Sequence, residues 1–227
     1  MRKLFLSAVL TLGTVAHVDA QTLTFEGIAS GTAFTPVGNY YNGGSGPNVG
    51  VDFFGGASVF NSRANGCTGN GAFAGQPSGC AALVFTTPTS NTVFVGMNKA
   101  SGFGTTFSFF YSAPFVTGQV RLFSGLNGTG TLLGSLSLAT TEIGGTGCPA
   151  NTYCPFVSAS LAFTGIAKSA LFTISQDNLL LDDVTFGSAE PDLPMSPVPE
   201  PESVWLFGAG LLAVYALDSV RRKKAQR

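Results

Sequence analysis

The chain has 227 residues, of which 44% are hydrophobic and only 10% are charged, and its formal net charge is −1. Only four basic residues lie between residues 21 and 188, too few for the basic patch that marks a nucleic-acid-binding surface. The one histidine, His17, lies close to the start. Histidine-dependent catalytic triads are therefore excluded from the rest of the chain.

The first twenty residues have the pattern of a secretory signal peptide. Arg2 and Lys3 give a positive start, residues 4–15 are mostly apolar, and small residues precede Gln21. The pattern predicts cleavage after Ala20 and export of the remaining chain. The alternative is an uncleaved N-terminal anchor, for which the apolar stretch is short.

Residues 21–188 contain short apolar runs that are rich in β-branched and aromatic side chains, and several alternate with a period of two. Asn-Gly and Gly-Gly pairs lie in the gaps, as expected for turns. The sequence therefore predicts an all-β domain over residues 21–188, a β-sandwich or jelly roll of about ten strands. The predicted strands are Thr22–Glu26, Val49–Phe54, Ala81–Thr86, Thr92–Met97, Thr105–Tyr111, Gln119–Phe123, Thr131–Leu138, Phe156–Phe163, Ala170–Ser175 and Leu179–Phe186.

Four cysteines, Cys67, Cys80, Cys148 and Cys154, all lie in this domain. An even number in an exported domain favours disulfides, and three connectivities are possible. We favour Cys67–Cys80 and Cys148–Cys154, because each pair brackets a loop rich in glycine, proline or asparagine. A zinc site is the alternative, but the domain lacks histidine and has no Cys-x-x-Cys spacing.

Three acidic residues near the ends of the domain are candidates for a structural calcium site: Glu26, Asp182 and Asp183. Calcium takes six to eight oxygen ligands, which carboxylates and loop carbonyls could supply if the first and last strands are neighbours. Adjacent strand residues point to opposite faces, so only one of the two aspartates would reach a given site. The alternative is that all three are ordinary acids at strand ends.

Side chains of the domain suggest two further functions, sugar binding and glycoside hydrolysis. Tyr40 and Tyr41 lie in a loop rich in glycine and asparagine, where exposed rings could stack on a sugar; the alternative is that they belong to the core. A glycoside hydrolase would need a pair of carboxylates, and no recognisable pair occurs. We therefore expect no catalytic residues and no enzymatic activity.

The last part of the chain has three successive segments. Residues 189–202 are rich in proline and predict an extended linker. Residues 203–220 are apolar up to Asp218. Counted from Val204 they number about 17, at the lower limit for one transmembrane helix, although a buried helix of the domain is an alternative. Residues 221–227 are basic, and the positive-inside rule places them in the cytoplasm. The residues that would stop the segment in the membrane are Arg221, Arg222, Lys223 and Lys224.

The order of Pro199-Glu200-Pro201, an apolar segment and a basic end resembles the PEP-CTERM sorting signal of Gram-negative bacteria. The resemblance implies export, transient anchoring in the inner membrane, and processing by an exosortase at or near the three-residue motif. It also implies delivery to the cell surface or the extracellular space, and a link to exopolysaccharide and biofilm matrix. The domain is similar to β-sandwich domains found upstream of such signals, through Leu23–Gly27 and Leu181–Gly187.

Three functional hypotheses follow. The first is a structural or adhesive component of the extracellular matrix, and the second is a polysaccharide-binding module. The third, less favoured, is a secreted glycoside hydrolase.

Overall fold

The computed structural model describes residues 20–29, 31–85, 93–145, 148–174 and 179–191. All regular structure in these residues is β, which confirms the predicted all-β class. The predicted signal peptide, the sorting motif and the predicted transmembrane helix lie outside them, and the described part contains no helix able to cross a membrane. The strands are β1 (Gln21–Leu23), β2 (Thr35–Pro36), β3 (Val51–Phe54), β4 (Ala57–Asn61), β5 (Ala81–Phe85), β6 (Val93–Ser112), β7 (Gly118–Phe123), β8 (Leu132–Leu138), β9 (Val157–Ile174) and β10 (Leu180–Phe186).

Two long antiparallel strands, β6 and β9, connect the two parts of the sheet. The first half of β6 pairs with β3, and its second half pairs with β10. The second half of β9 pairs with β7 on its other side. The sequence predicted four separate strands here, and that division was wrong. The polar and glycine residues between the predicted strands form irregularities between Asn98 and Phe103 and between Gly104 and Thr106, so the chain bends without leaving the ladder.

The sheet folds over a main core rich in aromatic side chains, and a smaller second cluster includes Phe73. The strand order is β2-β4-β5-β10-β6-β9-β7-β8, with β1 beside β10 and β3 beside β6. Phe85 of β5 and Phe172 of β9 belong to strands that are not neighbours, yet their ring centroids are 5.5 Å apart. Phe107 and Phe109 of β6 pack on the same Phe172 ring. All four rings are buried, and each contributes about 1.5–3 kcal/mol through removal of its surface from water.

Alternation along β9 agrees with the prediction made from the sequence. Ser158, Ser160 and Thr164 are exposed, while Val157 and Leu161 pack partly buried against the core.

The sequence did not predict two of the strands, β2 and β4. β4 does not alternate, because Ala57, Ser58 and Val59 are all buried. Its position is set by pairing with β5, a contact that local sequence does not encode.

The structure contains the two disulfides that the sequence favoured. Cys67 and Cys80 have a Cα–Cα distance of 5.7 Å, and Cys148 and Cys154 one of 5.8 Å, both within the usual range. The two loops are also joined to each other by their backbones. Tyr153 N donates to the carbonyl of Ala72 (2.8 Å), and Ala74 N donates to the carbonyl of Tyr153 (3.2 Å). The two cross-linked loops are therefore connected to each other by backbone hydrogen bonds as well.

Candidate functional site

Two of the three acids predicted as calcium ligands, Glu26 and Asp182, bond to one segment, residues 78–81. Glu26 follows β1, and its Oε1 accepts hydrogen bonds from the amides of Cys80 (3.0 Å) and Ala81 (2.8 Å). Asp182 of β10 accepts from the amide of Ser78 (3.1 Å) and from its hydroxyl (3.1 Å). The two carboxylates thus hold the start of β5 against the first and last strands.

Asp182 and Asp183 are both completely buried, contrary to the expected alternation. All seven residues of β10 are buried, so both faces of this strand are covered. The β10 ladder is also irregular between Asp182 and Thr185, and Asp183 has a positive φ of 47°. Burial, and next the nearby charge of Asp183, raise the pKa of Asp182 well above its ordinary value. The described residues contain no group of three or more metal-binding side chains. Calcium binding stays a prediction, which chelation would test.

The two tyrosines predicted to contact a sugar support the loop that carries them. Tyr41 is only 4% exposed, and its hydroxyl accepts a hydrogen bond from the amide of Phe25 (2.8 Å). Burial raises the pKa of its phenol. Tyr41 is therefore a core side chain with no face for a ligand, which corrects that prediction. Tyr40 is half-buried and donates to the carbonyl of Glu26 (3.2 Å), and its ring lies where a side chain at Gly46 would be.

Exposed aromatic rings occur elsewhere, at positions that the sequence analysis did not single out. Phe34 is 50% exposed and stacks on Phe60 with ring centroids 4.2 Å apart. Phe115 is 53% exposed and contacts Tyr153 edge to face at 5.6 Å. A groove of about 110 Å³ lies between Phe34, Phe60 and Tyr153. An aromatic residue in a loop of small polar residues was the one sequence pattern that could have indicated these exposed rings. That pattern is weak here, because the chain has twenty phenylalanines and most of them are expected in the core.

A larger cavity, of about 400 Å³, lies beside the irregular part of β6. We call it the Lys99 cavity, because Lys99 is its charged side chain; Gln21, Gly102, Gly104, Ile166 and Phe186 form other parts of its wall. No pattern in the sequence indicates this cavity, since its residues come from β1, β6, β9 and β10. Only the pairing of these strands brings them together.

The predicted sorting residues cannot be placed in this geometry. Pro199, Glu200 and Pro201, like Arg221, Arg222, Lys223 and Lys224, lie outside the described residues. The assignment of these residues to a sorting signal therefore depends on sequence comparison alone.

Three solved structures resemble the described fold at low sequence identity. The K2 cleaved adhesin domain of Lys-gingipain has 14% identity and a TM-score of 0.48, over 74% of this chain and 98% of that one. The K1 cleaved adhesin domain of Lys-gingipain from Porphyromonas gingivalis W83 has 13% identity and a TM-score of 0.47, over 75% and 98%. A family 29 carbohydrate binding module from Piromyces equi has 9% identity and a TM-score of 0.40, over 74% and 89%.

No curated protein matches the chain. One family model does, and it covers residues 197–222. These residues include Pro199-Glu200-Pro201, the whole apolar segment and the first two arginines of the basic end. The chain therefore carries a PEP-CTERM protein-sorting motif at residues 197–222.

Proposed function

We propose that this protein is exported and sorted by an exosortase, and that it ends at the cell surface or in the extracellular matrix as a structural or adhesive component. The observation that carries the proposal is the PEP-CTERM motif at residues 197–222. In this proposal residues 1–20 direct export and are removed. Residues 203–220 then hold the chain in the inner membrane until it is cut at or near Pro199-Glu200-Pro201.

The physical properties of residues 21–188 fit such a destination. The domain is poor in charge, its described part is all-β, and two disulfides cross-link its loops. Disulfides persist in oxidising compartments outside the cytoplasm. We infer that the domain is a β-sandwich of the jelly-roll type that needs no cofactor for its fold beyond the calcium ion predicted at Glu26, Asp182 or Asp183. Without a histidine or a recognisable carboxylate pair, we expect it to have no catalytic activity.

The sorting proposal is tested with a motif variant in a host that carries an exosortase. We expect the triple substitution Pro199→Ala, Glu200→Ala and Pro201→Ala to leave the protein inserted but uncut, because the motif lies outside the apolar segment. Fractionation and immunoblotting should then show full-length protein in the membrane. The matched control is Pro191→Ala with Pro194→Ala, which changes linker prolines outside the motif and should be processed normally. If the motif variant is released like the wild type, the sorting proposal is wrong.

A second candidate function is polysaccharide binding. Two observations favour it: the exposed rings of Phe34 and Phe115, and the Lys99 cavity. Aromatic faces stack on sugar rings, and a cavity of about 300–1,000 Å³ with a few polar groups is typical of ligand sites. This function is compatible with the first, because a matrix component can be retained by the polysaccharide around it.

A further inference from the structure

The charged group of the Lys99 cavity is held in place by neutral partners. Lys99 Nζ donates to Gln21 Oε1 (2.8 Å) and to the carbonyl oxygen of Val49 (2.6 Å), and it lies 5.6 Å from the ring centroid of Phe186. An ammonium group has three N–H donors, so these two hydrogen bonds leave one for a further acceptor. Both protein acceptors are uncharged, and the positive charge is therefore not neutralised by them.

The electrostatic environment of this ammonium favours an anionic ligand. Among the described residues, none of the side chains that line the cavity is acidic. Burial lowers the pKa of Lys99 below its ordinary value of 10.5. A partly buried charge without a counter-ion is unfavourable in the empty cavity, and an anion bound there would relieve that cost.

Backbone irregularities help to shape the walls of the cavity, beside the side chains of Phe103, Ile166 and Phe186. Gly102 has a φ of +77°, and a Cβ there would lie 2.3 Å from Cγ2 of Ile166. Thr105 has a φ of +67°, which is rare for a β-branched residue. Irregular strand segments and strained residues occur preferentially beside functional sites. Ile166 packs closely on Gly102, whereas a Cβ at Gly104 would have no neighbour closer than 3.4 Å, so Gly104 leaves room in the cavity wall.

We propose that the Lys99 cavity binds a uronic acid residue of an acidic polysaccharide. The proposal rests on the second candidate function and names its ligand class. The carboxylate would accept a hydrogen bond from the remaining N–H of Lys99, and the apolar face of the sugar ring would lie against Ile166, which is 57% exposed. A single lysine matches a carboxylate, which carries one charge, whereas a phosphate group carries about two and would call for further cations. A neutral sugar would leave the ammonium without a counter-ion.

The test compares two polymers with the same sugar backbone, one with charged carboxylates and one with neutral methyl esters. Polygalacturonate and its methyl ester are titrated against the full-length protein purified in detergent, and binding is followed by calorimetry. We expect the acid to bind at least about tenfold more tightly than the ester, because a charge-assisted hydrogen bond contributes more than a neutral one. Equal binding of the two polymers, or no binding of either, would overturn the proposal.

Two variants locate the site. Lys99→Met should weaken polygalacturonate binding by about tenfold or more, while Lys168→Met, which removes an exposed lysine of β9, should leave it unchanged. Because Lys99 also bonds to Gln21 and Val49, its replacement could disturb the fold. Gly104→Leu therefore blocks the cavity and retains the lysine, since a Cβ there has no neighbour closer than 3.4 Å.

The matched control for Gly104→Leu is Gly118→Leu on β7, where a Cβ also has no neighbour closer than 3.4 Å. The proposal predicts that Lys99→Met and Gly104→Leu both lose binding, and that Lys168→Met and Gly118→Leu both keep it, with unchanged melting temperatures. Binding that survives in Gly104→Leu would place the polysaccharide elsewhere and overturn the proposal. Failure here would not affect processing at Pro199-Glu200-Pro201, which the fractionation experiment measures separately.

Discussion

At the scale of single residues, acidic side chains near the ends of the domain hold together segments that are distant in the chain. Glu26 and Asp182 accept hydrogen bonds from the backbone that leads into β5. The sequence predicted these residues as metal ligands from their charge and their positions. Their hydrogen bonds to Ser78, Cys80 and Ala81 could not be predicted, because that loop is about a hundred residues distant from Asp182 in the chain.

Asp182 gives the free energy of unfolding a characteristic pH dependence. Its folded-state pKa lies above the ordinary value of 3.8, so between the two values the folded protein keeps a proton that the unfolded chain has lost. With chelator present, stability should therefore fall as the pH rises from about 4 through that window. Urea unfolding at a series of pH values measures the effect.

The variant Asp182→Asn should lose this fall in stability, since an amide keeps an acceptor for Ser78 but does not titrate in this range. Asp52→Asn serves as the control, because Asp52 lies only partly buried, beside Asn42, and its replacement should leave the pH dependence in place. Stability that rises with pH in both the wild type and Asp182→Asn would contradict the assignment.

At the scale of elements, the disulfides stabilise loops that strands alone would not hold. The Cys67–Cys80 link closes a loop with a sequence separation of 13, and Cys148–Cys154 closes one of 6. In the chain-entropy account, links of these lengths contribute about 3 and about 2 kcal/mol. The loops also share backbone hydrogen bonds at Tyr153, so loss of one link should weaken the support of the other.

Removal of each disulfide tests this account. We expect Cys67→Ser with Cys80→Ser to lower the free energy of unfolding by about 3 kcal/mol, and Cys148→Ser with Cys154→Ser to lower it by about 2 kcal/mol. Chemical denaturation of both variants and of the four-serine variant measures the values. Because the loops are coupled, the combined loss should differ from the sum of the two. A strictly additive result would show that the backbone link at Tyr153 contributes nothing.

At the scale of the whole molecule, the predicted membrane segment depends on its charged end. An apolar segment of about 17 residues is near the minimum for a bilayer core of about 30 Å. We therefore expect replacement of Arg221, Arg222, Lys223 and Lys224 by glutamine to weaken retention and to disturb orientation in the membrane. Fractionation should show early release of this variant, in contrast to the membrane accumulation expected for the motif variant.

The matched control for the basic end is the same set of positions changed to the other basic residue, which keeps the charge. Arg221→Lys, Arg222→Lys, Lys223→Arg and Lys224→Arg together should behave like the wild type. Equal retention of the glutamine variant would mean that the apolar segment anchors the chain without help from its charges.

The sequence by itself determined the features that depend on local order. Period-two alternation gave the all-β class and the exposed face of β9, since a strand's side chains alternate whatever it pairs with. The sorting motif is a linear signal, and its residues could be named without a fold. The disulfide pairs also followed from local order, because each pair brackets one loop rich in glycine, proline or asparagine.

Only the tertiary structure decided which side chains share a site. Tyr41 lies in the core and Phe34 at the surface, although both belong to loops of similar composition. The Lys99 cavity is formed by residues from four strands. The predicted shorter strands join into β6 and β9 because these two long strands pair with each other. Burial and strand pairing are set by contacts between residues far apart in the chain, and neither leaves a pattern in the local sequence.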